Sequence, residues 1–304
     1  MLMSSRGVVA TFAILLSGCN TPKEETPTRG RLEVAVTRTH VALLQEEARE
    51  FNRLYPEAVV TVTARSTREA VVALLNDSLS LICIDRPLNE EERTVATLAK
   101  IEFVETKIAE DALGIIVHPS NPINEISLPS LEAIFRGAVR SWSGIQESKR
   151  YKGSGTIDVV LTDRNSGAYE LLAHTFLKAA SPLALSHTVQ SSEEILRYVA
   201  THPHAISAVS ALALRDSATG VKVLAVQTTD STASERFIKL HQANIYRGWY
   251  PLRYPLYFYS TATRNSVAAG FTAFVASAPG QKIIVNAGLV PTTMPVRLVQ
   301  INEN

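Results

Sequence analysis

The chain has 304 residues, of which 46% are hydrophobic and 19% charged, so it can bury one large core or two medium ones. Its 30 basic and 29 acidic residues give a formal net charge of +1. Nucleic-acid-binding domains need a concentrated positive surface, and no run of Lys or Arg here approaches polybasic length. The composition therefore predicts a globular protein and argues against a nucleic-acid role.

The N-terminus has the pattern of an export signal. Arg6 precedes the apolar stretch "GVVATFAILLSG", which at 12 residues is too short to span a bilayer but has the length of a signal-peptide core. It ends in "LSGC", which resembles the bacterial lipobox and implies that residues 1–19 are a lipoprotein signal peptide whose Cys19 is lipidated. The alternative is a buried apolar segment with a chance cysteine. Residues 20–30 are rich in Pro, Thr and Glu, which predicts a flexible tether and a folded part that starts near Arg31.

The second cysteine belongs to the core in this interpretation. If Cys19 carries lipid, Cys83 is the only thiol left, and no intramolecular disulfide can form. Cys83 lies in the apolar run "LSLICIDRPL", where a free cysteine usually packs as a small hydrophobe.

The first half of the chain alternates strand and helix patterns. "LEVAV" predicts a strand, and the apolar residues from Val41 to Tyr55 recur at helical spacing until Pro56 stops them. "VVTVTA" predicts the next strand, and Ser66 with Glu69 forms a capping-box pattern before a second helix. "LSLICI", "NEEERTVATLAK" and "ALGIIVHP" then predict a buried strand, a helix and a strand.

The second half continues in the same way. "SLPSLEAIF" predicts a short helix, "TIDVVLT" a strand, "GAYELLAHTFLKAA" a helix, "SSEEILRYVA" a helix with a capping box from Ser191 to Glu194, and "AISAVS" a strand. "YPLRYPLYFYS" is β-prone, and "VAAGFTAFVASAPGQKII" predicts a helix pair or one broken helix. The alternation indicates a parallel α/β plan, and its length favours two lobes.

One turn has the chemistry of an anion site. In "LTDRNSGAYELL" a strand ends at Thr162 and a helix begins near Gly167, so the helix's unpaired N–H groups and positive dipole end face the loop. Ser166 can cap the helix or donate its hydroxyl, Gly167 allows close backbone approach, and Arg164 offers a forked cationic donor. The alternative is a plain capped loop with a surface arginine.

Four segments together resemble a known family. "EDALGIIVHPSNPINEISLPSLEAIFRGAVRSW", "VVLTDRNSGAYELL", "YPLRYPLYFY" and "APGQKIIVNAGLVP" are similar, in order and spacing, to the periplasmic phosphate-binding proteins of ABC transporters. The resemblance covers about residues 31–295. It implies an α/β, two-lobed type II periplasmic-binding-protein fold with a ligand cleft between the lobes.

The resemblance implies a set of phosphate-binding residues. The family's Arg-x-x-Ser-Gly-Thr loop falls on Arg164, Ser166, Gly167 and Ala168, and Ala168 departs from it by lacking the threonine hydroxyl. The family's position before Arg-Pro-Leu falls on Asp85.

A carboxylate at Asp85 can accept the proton that hydrogen phosphate carries, whereas sulfate has none to offer. The alternatives for Asp85 are a helix cap or an ion-pair partner of Arg86.

The first strand exit departs from the family further. Where a turn of small residues is usual, this chain has "VTRTH", so Thr37 and Thr39 are candidate hydroxyl ligands and Thr39 a candidate cap. Arg38 either reaches the ligand as a second cation or points to solvent. "AISAVS" also stands where Ile-Gly-Tyr is usual.

The remaining inventory argues against an enzyme and against a cofactor. The seven histidines are scattered, and the one close pair, His202 and His204, lacks cysteines or a carboxylate at ligand spacing. Ser166 lacks the Gly-x-Ser-x-Gly elbow of a hydrolase nucleophile.

The family resemblance also implies which residues form each lobe and what the protein does. Lobe one is expected over residues 31–112 plus 254–304, and lobe two over 113–253. The expected function is a monomeric, lipid-anchored solute-binding protein on the periplasmic or cell-surface side of a membrane, which captures phosphate or a similar oxyanion for ABC permease subunits. The alternative is a sensor or interaction lipoprotein that keeps the fold with an altered pocket.

Overall fold

The computed structural model of the chain describes residues 24–148, 155–162, 164, 166–177, 183–217, 219–233, 236–293 and 295. The predicted signal peptide and Cys19 therefore lie outside the described residues. Among those described, no helix combines the length and the apolar character needed to cross a membrane.

Strands and helices alternate along most of the chain. The strands are β1 (Gly30–Thr37), β2 (Ala58–Arg65), β3 (Leu81–Ile84), β4 (Val104–Val117), β5 (Glu125–Ile126), β6 (Asp158–Thr162), β7 (His187–Val189), β8 (Ala205–Ser210), β9 (Lys222–Val223), β10 (Ala225–Gln227), β11 (Phe237–Ile238), β12 (Arg253–Ser260) and β13 (Val290–Pro291). The α-helices are α1 (Val41–Leu54), α2 (Thr67–Leu75), α3 (Glu90–Leu98), α4 (Leu128–Phe135), α5 (Gly167–Leu177), α6 (Ser192–Thr201), α7 (Ala211–Ser217), α8 (Gln242–Tyr246), α9 (Val267–Ala276) and α10 (Ala278–Asn286).

The main sheet runs in the order β2-β1-β3-β12-β4-β8-β6-β7, with β9 and β13 also paired to β4. On one side β1 is parallel to both β2 and β3, and on the other β6 is parallel to β7 and β8. The long strand β4 pairs antiparallel with β12 and with β8, so it belongs to both sides. We call these the β1 side and the β6 side of the sheet. A small second sheet has the order β11-β10-β5.

The sequence patterns identify most elements and their ends correctly. The helix predicted from Val41 ends at Leu54, before Pro56. The Ser66–Glu69 capping box is present in both directions. At α6, Ser191 accepts from the Glu194 amide, but the Glu194 carboxylate bonds the Gln190 amide. The apolar run near the C-terminus forms a helix pair, α9 and α10.

The predicted parallel plan holds for β1–β3 and for β6–β8 but not at β4 and β12, so the sheet as a whole is mixed. Hydrophobic periodicity reports which face of a strand is buried and carries no information about the direction of its neighbour. Every antiparallel pairing in the main sheet involves β4 or β12: β4 pairs antiparallel with β8, β9, β12 and β13, and β12 also with β3. These two strands are the segments that connect the β1 side with the β6 side. The observed fold is an α/β fold, with a curled mixed sheet flanked by helices.

Separate apolar clusters lie under the two sides of the sheet. On the β1 side, α1, α9 and α10 cover the strands with residues such as Phe51, Phe271 and Ile284. On the β6 side a larger cluster contains Trp142, Phe135 and Tyr250. Cys83 is fully buried in the first cluster, as expected for a small hydrophobe, and burial raises the pKa of its thiol well above the usual value.

The segment just before β1 is packed against α9. Thr26 and Arg29 form a β-bridge, and the Glu25 carboxylate accepts a 2.9 Å hydrogen bond from the Val267 amide at the start of the helix. A side chain at Gly270 would collide with the backbone of Pro27. The described part of the predicted tether is thus in contact with the folded core, which the Pro- and Thr-rich composition did not indicate.

Candidate functional site

A cavity of about 360 Å³ opens where the β1 side meets the β6 side. Helices α2, α5 and α6 begin at its wall, so three sets of first-turn N–H groups face it. It is lined by Thr37, Arg38, Thr39, Val41, Ala42, Gln45, Arg65, Ser66, Thr67, Asp85, Leu113, Thr162, Ser166, Gly167, Ala168, Gln190, Ser191, Ser192, Glu193, Ile195, Ala208, Val209, Ser210, Leu212, Ala213 and Tyr254.

Asp85 brings the two sides together. It follows β3, is 7% exposed, and its Oδ1 accepts a 2.8 Å hydrogen bond from the Thr67 hydroxyl at the start of α2. Its carboxylate also lies against Gly167, where an added Cβ would come within 1.9 Å of Oδ2. Only glycine at position 167 lets the start of α5 approach a carboxylate on the opposite side of the cavity this closely.

The start of α5 is arranged as an anion-facing helix terminus. Ser166 acts as a cap, because its hydroxyl accepts a 3.2 Å hydrogen bond from the Tyr169 amide. Gly167 and Ala168 follow as the first residues of the helix and line the cavity. Because Ala168 lacks the threonine hydroxyl, its backbone N–H is the polar donor that this residue can offer to the cavity.

The predicted site residues are largely brought together. Thr37, Arg38, Thr39, Asp85, Ser166, Gly167 and Ala168 all line the cavity. Arg164 is described as exposed and is not among the lining residues. Its neighbours Asp163 and Asn165 lie outside the described residues.

Arg86 makes a second connection between the β1 side and the β6 side. Its guanidinium forms two 2.8 Å hydrogen bonds with Glu92, and Nε donates to Glu170 on α5. Burial lowers the pKa of Arg86, but the hydrogen bonds and charges of the two glutamates outweigh that effect and raise it. Arg86 therefore bridges to α5 rather than serving only as a neighbour of Asp85.

A cluster of polar side chains forms one wall of the cavity, which we call the cavity floor. At its centre is Asp111 of β4, which is fully buried and accepts hydrogen bonds from the His40 ring, the Ser210 hydroxyl, the Tyr254 hydroxyl and the Ala112 amide. The other ring nitrogen of His40 lies 3.0 Å from the Thr37 hydroxyl. Burial, and then the Asp111 charge, raise the pKa of Tyr254 well above its usual value.

Sequence reasoning missed several of these residues. Ser66 and Ser191 appeared only as helix caps, although a capped helix that follows a strand at this sheet edge predicts a wall of the same cavity. Tyr254 appeared only within the β-prone run "YPLRYPLYFYS", and Asp111 and His40 lie in the segments "EDALGIIVHP" and "VTRTH" without a predicted role. Their roles depend on β4, β8 and β12 meeting, which no local pattern encodes.

The described residues offer no metal site. Among them, no group of three or more His, Cys, Asp and Glu side chains is placed to hold a metal ion. The polar atoms that face the cavity are hydroxyls, backbone amides, carboxylates and arginines, a set that suits hydrogen-bonded recognition of a polar anion.

Comparisons with known proteins agree with the fold. The phosphate-binding protein PstS of Pseudomonas aeruginosa is 26% identical over 288 residues, which cover 90% of this chain and 87% of that protein. A solved structure from Clostridium perfringens, described as a phosphate ABC transporter substrate-binding protein with bound phosphate, has a TM-score of 0.72 at 18% identity and covers 86% of this chain and 100% of that one. An ABC-type phosphate transport receptor from Vibrio cholerae has a TM-score of 0.69 at 19% identity, with coverage of 86% and 100%.

These matches confirm the resemblance stated from the four sequence segments. They also agree with the expectation of a binding protein rather than an enzyme, because the similar proteins are named for phosphate binding and transport. The family model for the PBP superfamily domain, the periplasmic-binding-protein superfamily, matches residues 21–279, and the chain belongs to that superfamily.

Proposed function

We propose that this protein is an extracytoplasmic solute-binding protein that captures phosphate or a similar oxyanion for an ABC transporter. The observation that carries the proposal is the contact of Asp85 with the start of α5 inside one cavity. Helix N-termini supply donors for anionic oxygens, and Asp85 supplies an acceptor for a ligand proton. The names of the similar proteins support the same ligand class.

The residues proposed to contact the anion are those that the sequence predicts. They are Thr37, Arg38, Thr39, Asp85, Arg164, Ser166, Gly167 and Ala168. Binding would favour the closed arrangement of the two lobes, proposed as residues 31–112 plus 254–304 and residues 113–253, because only there does one anion reach both Asp85 and the start of α5. The closed form is the state that a membrane permease would accept.

Calorimetric titration of the full-length protein with phosphate, sulfate, molybdate and small carboxylates tests the proposal. We expect phosphate to bind far more tightly than sulfate, by up to roughly 10⁴-fold, because a site built around a ligand hydrogen bond rejects a partner that lacks it. Asp85→Asn should narrow that gap, since an amide can donate to sulfate and does not repel it. Sulfate binding as tight as that of phosphate would contradict the proposal.

Arg164 has a separate test because it is not among the residues that line the cavity. If it closes onto the anion, Arg164→Ala should weaken phosphate binding by about a hundredfold with little change in stability. Arg136→Ala is the matched control, because Arg136 is an exposed arginine that pairs with Glu132 away from the cavity. Equal affinities of the two variants would remove Arg164 from the site.

The exposed position of Arg164 favours one second candidate, a sensor or interaction lipoprotein with the same fold and an altered pocket. Such a protein would respond to its ligand without delivering it to a permease. Phosphate uptake by cells that lack the gene separates the two, since only a transport receptor is needed for uptake.

We further propose that Cys19 anchors the protein by lipid to the periplasmic or cell-surface side of the membrane. Labelling cells with a fatty acid should mark the parent, whereas Cys19→Ser should carry no label and remain an uncleaved precursor. Label on Cys19→Ser would contradict the anchor.

A further inference from the structure

We propose that Asp111 orients the hydroxyl groups of the cavity floor so that their oxygen lone pairs, and not their protons, face the cleft. The cleft then favours an oxyanion with a second proton, such as dihydrogen phosphate. This rests on the proposed function and, apart from Thr37, concerns residues outside the set assigned to the ligand there. Asp111 acts as a positioning residue, since its own carboxylate lies behind the hydroxyls that line the cavity.

The direction of the hydrogen bonds follows from the carboxylate. Ser210 Oγ lies 2.5 Å and Tyr254 Oη 2.8 Å from Asp111 Oδ2, and the Ala112 amide donates to Oδ1 at 2.7 Å. A carboxylate has no proton to give, so each hydroxyl must direct its single proton at Asp111. Burial also raises the pKa of Tyr254, which keeps the phenol proton in place. Ser210 Oγ also accepts a 3.0 Å hydrogen bond from the Leu212 amide, so Ser210 keeps one lone pair for the cavity, and the Tyr254 hydroxyl presents its lone pairs there.

His40 extends the arrangement to Thr37. Its Nε2 lies 2.9 Å from Asp111 Oδ2 and must carry the proton of that bond, so in the neutral imidazole Nδ1 accepts from the Thr37 hydroxyl at 3.0 Å. Thr37 then also presents lone pairs to the cavity.

The groups that face His40 from neighbouring elements are few. They are the Asp111 carboxylate, the Thr37 hydroxyl and the edge of the Tyr254 ring, whose centroid is 6.2 Å from that of the imidazole. The charged residues that line the cavity are Arg38, Arg65, Asp85 and Glu193.

The cavity thus has two chemically different walls. The starts of α2, α5 and α6 offer N–H donors, whereas the floor and Asp85 offer acceptors. Asp85 can accept a hydrogen bond from one ligand proton. The acceptors on the floor therefore find a donor only in a ligand that carries a second proton. Buried acceptors left without a donor are costly, so a ligand that loses this proton should bind less well.

The test changes the direction of the hydrogen bonds. In Asp111→Asn the amide N–H₂ donates to the hydroxyl oxygens, whose protons then turn toward the cavity. Asp158→Asn is the matched control: Asp158 Oδ2 accepts a 2.6 Å hydrogen bond from Tyr198, and neither residue lines the cavity. Full-length parent and variants are titrated with inorganic phosphate and with sulfate from about pH 5.5 to about pH 8.5.

In the parent, phosphate affinity should fall by up to about tenfold per pH unit above the pH at which dihydrogen phosphate becomes hydrogen phosphate. Asp111→Asn should flatten that profile and strengthen sulfate binding by about tenfold, while Asp158→Asn should match the parent. Tyr254→Phe provides a second variant that preserves the carboxylate and removes one acceptor, and it should weaken phosphate binding by about tenfold at low pH without changing sulfate binding.

The outcomes separate the inference from the proposed function. A parent that binds phosphate with no pH dependence, or an Asp111→Asn or Tyr254→Phe protein with the phosphate-to-sulfate ratio and pH profile of the parent, overturns the inference alone. A parent that binds no oxyanion overturns the proposed function and the inference together.

Discussion

Asp111 and Glu47 are both carboxylates with no exposed surface, yet their surroundings differ completely. Asp111, on β4, accepts hydrogen bonds from four groups. Glu47, on α1, lies on the helix face that packs Leu44, Ala48 and Phe51, and within the described structure neither of its carboxylate oxygens has a hydrogen-bond partner. Burial, with a smaller contribution from Glu46, raises the pKa of Glu47 to about 9.

The difference shows what allows a buried carboxylate to orient the groups around it. Desolvation disfavours the charged form of both residues, and only donors aimed at the carboxylate offset it. Asp111 has such donors and can orient the hydroxyls around it. Glu47 has none, so it keeps its proton near neutral pH and weakens the protein when it is forced to ionise.

The largest effect should follow the loss of Asp111. Asp111→Leu leaves the His40, Ser210 and Tyr254 donors buried without their acceptor, so it should lower the free energy of unfolding by about 4 kcal/mol. Urea unfolding measured by circular dichroism checks this. A loss below about 1 kcal/mol would mean that the cluster is not the stabilising unit described here.

Substitution of Glu47 should stabilise the protein, whereas substitution of Asp111 should destabilise it. The folded protein holds the Glu47 proton up to about pH 9, whereas the unfolded chain releases it near the usual glutamate pKa of 4.5. The folded state therefore binds more protons between these values, and stability should fall as pH rises through this window, by at most about 1.4 kcal/mol per pH unit.

Glu47→Gln should remove that slope and raise the free energy of unfolding on the order of 3 kcal/mol at about pH 8. Urea unfolding across the same pH range tests it. Glu46→Gln, at the exposed neighbour, is the control and should keep the slope of the parent.

Two tyrosines sharpen the comparison at the level of one hydrogen bond. Tyr254 donates to the buried Asp111, and Tyr198 donates to the part-exposed Asp158. Tyr254→Phe should lower the free energy of unfolding by about 1.5 kcal/mol and Tyr198→Phe by about 0.5 kcal/mol. Water replaces the lost partner only at the second site. Equal costs in thermal unfolding would show that burial of the acceptor is not what matters.

The smallest effect is expected at Glu170, which lies between the two extremes. It is part-buried and has one cationic partner, Arg86, whose attraction opposes the rise in the pKa of Glu170 that burial causes. Burial outweighs the attraction of Arg86, so the pKa of Glu170 stays raised, and replacing the carboxylate by a neutral amide removes the burial penalty together with the ion pair. Glu170→Gln should therefore change the free energy of unfolding by less than about 1 kcal/mol. A loss above about 3 kcal/mol in urea unfolding would place Glu170 with Asp111 instead.

Much of the fold and part of the cavity could be predicted locally. Helix α1 is visible in the spacing from Val41 to Tyr55, and the anion-facing start of α5 in "DRNSGAY", because caps and periodicity act over a few residues. The position of Arg164 outside the cavity lining could not be predicted, because a loop side chain's direction depends on what the loop packs against.

The sequence by itself determined the order of strands and helices, the burial of Cys83 and the residues that begin the helices around the cavity, because these depend on local periodicity and capping. Only the tertiary structure decided that the sheet is mixed, that Asp85 touches Gly167, and that Thr37, His40, Asp111, Ser210 and Tyr254 share one network. These contacts join residues up to 143 positions apart, and strand pairing across such distances follows from the packing of the whole chain rather than from any segment of it.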